Sequence, residues 1–416
     1  MKNKLFGALL CLALVPGAFA EVTFDQQGSV SAMIAQLRNA GPDADIVPVP
    51  GDPKAPAKWT VMVYVNAKNN LESYGLKDVN EMEMVGSTPE VNIVAELGRI
   101  NGYATNDGDW KGSRRYLVQK DNDASKITSP VLMEIPKSDM GKWENMAEFV
   151  KWSQQKFPAQ NYVLIVWNHG SGWNKKSEAE GKGISYDDET GSHITTQQLA
   201  QALAATGKIA ILSMDACLMQ MMEVAYEARN GADYIVASEE TEPGDGYTYN
   251  TFLGPLVAKP AMTAAELSKV MVDAYTDHYQ QINQGATQSS VNTAALGRLA
   301  QLTDAWTAAL MASGDVAAAK NARTKAQAFY YSSNKDLYHF VKLVNDATAD
   351  AAVKAKGAEL MEFIKGTAVY HNRATGSKYA NANGLAVYLP SYYAAAYDGL
   401  AWAKDSNWDD FMKWIK

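Results

Sequence analysis

The chain is predicted to fold as an α/β protein on a central, mostly parallel sheet, and two observations carry that reading. Three apolar runs each stop at a polar or glycine-rich loop. Trp59 to Val65 precedes Asn66-Ala67-Lys68-Asn69-Asn70, Tyr162 to Trp167 precedes Asn168-His169-Gly170-Ser171-Gly172, and Ile209 to Met214 precedes Asp215-Ala216-Cys217. Continuous apolar runs of this length fit strands covered on both faces. The segments between the runs are long enough for crossovers, with a helix expected over Thr195 to Thr206, and strands joined that way run parallel. Their carboxyl ends then share one sheet edge, where open α/β folds place their ligand sites, so His169 and Cys217 can face one cleft.

In chain order, Met1 to Ala20 reads as an export signal. Lys2 and Lys4 supply the positive start, Leu5 to Val15 the apolar core and Ala18-Phe19-Ala20 the cleavage site, so the mature chain is expected to begin at Glu21 in a secreted or periplasmic protein. No later stretch approaches the roughly 20 apolar residues of a spanning helix, and Leu10 precedes Cys11 where lipidation needs a small residue. No membrane anchor is therefore expected. Losing the signal removes two lysines from a chain already at −8, and an acidic protein without basic runs is a poor match for nucleic acid. It also leaves Cys217 as the single cysteine, which excludes an intramolecular disulfide framework. A lone thiol in an exported protein is exposed to oxidation, and catalysis would explain its presence. Residues 21–58 form an arm, with Val30, Met33, Ile34 and Leu37 at helical spacing before a Pro/Gly-rich linker, serving as a propeptide or as a tether.

Residues 59–256 hold the expected catalytic core. After the first strand come a helix over Leu71 to Val85, strands over Val91 to Leu97, Ser113 to Gln119 and Val131 to Ile135, and a helix over Glu144 to Phe157 with Met146, Phe149, Val150 and Trp152 as core. Beyond Cys217, Leu218 to Arg229 reads as a helix with a core stripe of Met219, Met222, Val224 and Ala225. Its start beside the thiol would lower the thiol pKa. A strand over Tyr234 to Ser238 then runs into the acidic loop Glu239 to Tyr247. Residues 257–416 are mainly helical, with Ala264 to Tyr279, Leu299 to Ala312, Ala317 to Tyr331 and Trp408 to Ile415 as helices, and are expected to complete the same fold. His278, His339 and His371 lack close His or Cys companions, which speaks against a metal site there.

A thiolate is a strong nucleophile, and an imidazole can assist its formation and then protonate a departing amine. His169 and Cys217 lie 48 residues apart, histidine first, close to the caspase arrangement of about 50, although the caspase signature around the cysteine is absent. On spacing alone, Cys217 as a buried small hydrophobe and His169 as a loop residue stay open. The words WTVMVYVNAKNNLE from Trp59, NYVLIVWNHGSGW from Asn161, ILSMDACLMQMMEVAYE from Ile211 and SEETEPGDGYTYNTFLGPL from Ser238 together resemble the clostripain family of cysteine peptidases in order and spacing, and Gly384 to Pro390 returns to the pattern. The resemblance implies a caspase-like α/β/α sandwich and a Cys/His endopeptidase that cuts protein or peptide substrates after arginine or lysine.

The resemblance also implies roles for individual residues: Cys217 as nucleophile, His169 as general acid/base, and the backbone N–H groups of Gly170 and Cys217 as oxyanion donors. It places Asp215 and Asp245 beside the substrate side chain, although Asp215 could instead cap the following helix. Relatives are matured by cleavage in the loop after the histidine. Lys182, flanked by Gly181 and Gly183, is the first candidate, ahead of Lys175 and Lys176. No cofactor is required by these features. Some relatives need Ca2+, and the acidic run Tyr186-Asp187-Asp188-Glu189 is the place one could bind, but Lys68 stands where the family pattern usually has an aspartate. The competing reading is a catalytically silent binding protein on the same scaffold.

Overall fold

Alternate residues of the long strands enter two separate apolar cores, one on each face of a nine-stranded sheet. The computed structural model describes residues 56–173 and 183–416, so the export signal, most of the arm and the three loop lysines lie outside the described residues. On β1 (Ala57–Asn66), Val61, Val63 and Val65 face one core while Met62 and Tyr64 face the other. On β5 (Ala159–Trp167), Val163, Ile165 and Trp167 alternate in the same way with Leu164 and Val166. Both faces of the central strands are dry, so their sequences have no polar alternation.

The sheet order is β12 (Val369–Thr375), β10 (Ala286–Asn292), β9 (Ala232–Ala237), β8 (Ile209–Asp215), β5, β1, β2 (Val91–Arg99), β3 (Gly112–Leu117) and β4 (Val131–Ile135), while β6 (Ile184–Asp187) and β7 (Ser192–Ile194) pair in a separate two-stranded sheet. Its five central strands, β9, β8, β5, β1 and β2, are parallel. At one flank β3 and β4 add antiparallel. The chain winds outward from β1 to β2 and then returns to β5 on the other side. The carboxyl ends of β1 and β5 therefore frame the switch point where such sheets open a crevice.

Helices cover both faces. α1 (Glu72–Glu83) contributes Leu76, Val79 and Met82 to one core, and α2 (Trp143–Lys156) contributes Met146, Phe149, Val150 and Trp152 to the other. The crossover helix α3 (Thr196–Thr206) starts at a capping box. Thr195 Oγ1 accepts from the Gln198 amide at 3.2 Å, and Gln198 Oε1 accepts from the Thr195 amide at 2.9 Å. After α4 (Met222–Ala228) and β9 come α5 (Tyr249–Ala258) and α6 (Ala264–Gln281), which pack on the same side as α1. No helix among the described residues is long and apolar enough to cross a membrane.

Residues 257–416 carry strands as well as helices. β10 and β12 extend the central sheet beyond β9 as antiparallel strands. β10 reads Ala-Thr-Gln-Ser-Ser-Val-Asn, a polar string, yet it is buried. Its side chains are satisfied by groups far away in sequence: Gln288 donates to Tyr247 Oη at 2.6 Å, Ser289 to the Gly384 carbonyl at 2.6 Å and Ser290 to Ser268 at 2.8 Å. The helix expected over Ala317 to Tyr331 stops at Lys325, because the chain turns back through an Ala328–Lys335 bridge into β11 (Asn334–Asp336). β13 (Ala386–Tyr388), within the Gly384–Pro390 stretch, pairs with β11 in a separate two-stranded sheet.

Candidate active site

Loops from four consecutive parallel strands meet at the carboxyl edge of the sheet: Asn70 after β1, His169 after β5, Cys217 after β8 and Glu242 after β9. A cavity of about 240 Å³ opens there, and its lining includes His169, Cys217, Asp78, Asp215, Glu242 and Trp167. Gly170 sets how closely the two reactive loops approach. A Cβ at this position would collide with the Cys217 carbonyl oxygen and come within 2.9 Å of Ala216 Cβ. Only glycine lets the histidine loop lie on the cysteine loop, and the two proposed oxyanion donors are thereby neighbours.

His169 is oriented from β1. Its Nε2 lies 2.7 Å from Asn70 Oδ1, and since that oxygen can only accept, the contact fixes the proton on Nε2 and leaves the Nδ1 lone pair for chemistry. Asn70 was missed as a site residue in the sequence, where it is one of two adjacent asparagines in a polar loop. Its place at the end of a strand sharing the sheet edge was the available signal. Burial lowers the His169 pKa, with Asp188 opposing weakly.

The helix expected to start beside Cys217 starts at Met222 instead, and α4 has seven residues. Leu218 adopts a left-handed φ of 65°, its amide donates to the Glu240 carbonyl at 3.0 Å, and the Gln220 amide donates to the Ser238 carbonyl at 2.9 Å. Those amides pair with the loop after β9 rather than with a helix, so no helix terminus acts on the thiol. Burial pushes the Cys217 thiol above its ordinary pKa, an effect only partly offset by the Glu242 amide, which donates to Sγ at 3.3 Å. With the imidazole shifted down and the thiol up, the resting pair is neutral.

Asp215 ends β8 and is buried. It does not cap a helix: Oδ2 accepts from Tyr249 Oη at 2.9 Å and Oδ1 from the Tyr247 amide at 3.2 Å. Gly246, at φ 57°, closes over it where a Cβ would sit 2.8 Å from Oδ1. Burial raises Asp215 to about 6. The structure does not bring Asp245 into the cavity, although its neighbours Gly244 and Gly246 line it. Its half-exposed carboxylate is held by Lys77 Nζ at 3.0 Å on the rim. Two other carboxylates occupy the wall: Asp78 on the buried face of α1 and Glu242 in the loop after β9. Neither stands out in the sequence, since Asp78 is one acid inside an amphipathic helix and Glu242 one of several in an acidic loop.

The acidic run considered for calcium does not fit that ion. Lys68 is fully buried, and its ammonium sits 3.0 Å from Asp187 and 2.6 Å from Glu189 while donating to the Ser138 carbonyl. A built-in cation already neutralises these carboxylates. Among the described residues, no group of three or more His, Cys, Asp or Glu side chains is arranged to hold a metal ion.

The clostripain-family sequence profile matches residues 63–414 of this chain. The chain belongs to the clostripain family. Clostripain from Hathewaya histolytica is 30% identical over 216 residues, an alignment spanning 46% of this chain and 41% of that protein, so less than half of that relative is represented here. A secreted C11 cysteine protease from Bacteroides thetaiotaomicron, solved with an irreversible peptide inhibitor, has a TM-score of 0.64 at 18% identity, over 85% of this chain and 99% of its own. An inactive zymogen C11 protease from Parabacteroides distasonis gives 0.60 at 20% identity, over 84% and 98%. At such identities the likeness establishes the fold, and the caspase-like α/β/α sandwich expected for this clostripain-family chain is the one observed.

Proposed function

We propose that this protein is an exported cysteine endopeptidase that cuts peptides after arginine or lysine. One observation carries the reading: His169, Cys217 and the buried Asp215 converge on a single cavity at the sheet's switch point. Cys217 Sγ attacks the scissile carbonyl carbon as His169 takes the thiol proton. The Gly170 and Cys217 amides receive the oxyanion, and His169 returns the proton to the departing amine. The thioester that remains is hydrolysed by water, with His169 as base, and the thiol is restored. Asp215 sits where the cationic side chain of the residue before the cut enters. Asp245 stands on the rim, and unchanged Arg/Lys preference in Asp245→Ala would exclude it from the pocket.

The test is Cys217→Ala, His169→Ala and the double variant, assayed on a peptide library varied before the cut. Each single variant should lose nearly all turnover, and the double should be hardly worse than Cys217→Ala, because attack and leaving-group protonation act as a unit. Substantial turnover by Cys217→Ala would sink the assignment.

Maturation by self-cleavage after Lys182 belongs to the same proposal. Lys182 lies outside the described residues, but the adjoining backbone supports a cut that leaves the fold intact. The Ser171 amide donates to the Gly183 carbonyl at 3.1 Å, and Gly170 bridges Ile184, so both sides stay tied beside His169. That a C11 relative was solved as an inactive zymogen is consistent with such a step. Terminal sequencing should find a new N-terminus at Gly183 in wild type and a single chain in Cys217→Ala. If both proteins stay whole while wild type is fully active, self-cleavage is removed from the account.

A further inference from the structure

Three carboxylates from three separate elements face the cavity: Asp78 from α1, Asp215 from the end of β8 and Glu242 from the loop after β9. They differ in how far their oxygens are already used. Asp215 accepts from Tyr247 and Tyr249. Asp78 is 1% exposed; its Oδ2 accepts from the Trp167 indole N–H at 2.7 Å, while its Oδ1 is buried without a partner among the described residues. No amide, hydroxyl or basic group among the described residues donates to either buried carboxylate oxygen of Glu242, whose carboxyl group hydrogen-bonds only to Asp215. Buried acceptors left unmet are costly unless something arrives to meet them.

We infer that Asp78 and Glu242 are specificity-determining residues, which with Asp215 form a three-carboxylate floor whose unmet oxygens receive the N–H donors of an arginine or lysine side chain. This rests on the specificity proposed above and names two further residues that produce it. A guanidinium carries five donors and an ammonium three, more than one carboxylate with two committed oxygens can satisfy.

A linkage follows from the same geometry. Among the described residues the one cation near the floor is Lys77, and it is engaged with Glu81 at 3.5 Å and Asp245 at 3.0 Å on the rim. The remaining neighbours either add negative charge, as Glu81 does, or stay neutral at ordinary pH, as do the Cys217 thiol and Tyr247, Tyr249, Tyr275 and Tyr279. Burial, then repulsion from Asp215, raises both Asp78 and Glu242 well above the ordinary carboxyl range. The empty floor therefore holds protons as its counter-charge. An entering cation replaces them, each displaced proton passing to solvent, so binding is accompanied by proton release and tightens as pH rises.

The experiment is calorimetric titration of the full-length protein with benzamidine near pH 6, in two buffers of different ionisation enthalpy, for wild type, Asp78→Asn and Glu242→Gln. Wild type should release at least about one proton per benzamidine bound. Each variant should release fewer and bind about tenfold or more weakly, the loss expected for one charge-assisted contact. Proton-neutral binding by wild type, or variants with wild-type affinity and proton count, overturns the inference. The proton count needs wild type alone, so it stands even where a substitution fails to fold. If wild type cuts after neutral residues and ignores benzamidine, the Arg/Lys reading itself has failed. If wild type cuts after arginine and the variants do so equally well, only the roles of Asp78 and Glu242 are lost.

Discussion

Two sets of buried acids in this molecule are treated in opposite ways. In one set each acid meets a cation: Glu72 binds Arg99 at 2.8 Å, Glu96 binds Arg115 at 2.7 Å, and Asp187 binds Lys68 at 3.0 Å. In the other set, lining the cavity, Asp78 and Asp215 are buried and Glu242 has both carboxylate oxygens buried, yet none of the three forms a salt bridge with a basic side chain among the described residues. Taking a carboxylate out of water is costly, and a fixed partner offsets that cost at once. Where the offset is built in, the acid anchors the fold. Where it is withheld, the acid keeps a proton and its acceptor oxygens stay available to a cation from outside.

The largest effect that tests this contrast lies in the paired set. Lys68→Met removes the counter-charge of Asp187 and should destabilise the protein by about 3–5 kcal/mol in denaturant unfolding, the usual result of breaking a buried pair. The preference for residues before the cut should not change, and a shift in that preference would erase the distinction between the two sets.

In the unpaired set the expectation reverses. Asp215→Asn should reduce kcat/KM for arginine and lysine substrates about thirtyfold or more, as when one partner of a desolvated contact is removed, while stability stays level or rises. A marked fall in stability with specificity intact would make Asp215 a structural acid like Glu72.

Smaller and slower to appear is a pH effect on the protein without ligand. Burial raises Asp215 to about 6, Asp336 to about 6 and Glu223 to about 7. Because the folded chain holds these protons more tightly than the unfolded chain, their stabilisation is complete below the ordinary carboxyl range and is lost as pH rises through about 6 to 7. The melting temperature should therefore decline from pH 5 to pH 7.5, and the decline should be shallower in Asp215→Asn. A curve that rises over this interval contradicts the assignment of those protons to the folded state.

The smallest expected effect is none: a calcium chelator should leave both the rate and the melting temperature of wild type unchanged, because Lys68 supplies the positive charge among Asp187 and Glu189. Loss of activity on chelation, restored by calcium, would show that a metal site exists elsewhere.

The comparison also explains which residues could be found from the sequence. His169 and Cys217 were legible because each follows an apolar strand at a sharp break, and parallel pairing carries strand ends to one edge whatever lies between. Asp78 was not, because a helical position says which face a side chain is on but not what opens opposite it. The start of α4 was misplaced for a related reason: Leu218 to Met221 have helical composition, yet the contacts of Leu218 and Gln220 with the loop after β9 outweigh local propensity.

By itself the sequence determined the strands and crossovers of the parallel core and the proposed site residues His169, Gly170 and Cys217, since these depend on short runs and local chemistry. Only the tertiary structure decided that a polar segment such as β10 is a buried strand, that Lys68 lies among the carboxylates of the acidic run, and that Asp78 and Glu242 share a cavity with Asp215. Each depends on partners distant along the chain. The environment that makes a polar group stable, or leaves it waiting, exists only once those partners have been brought together.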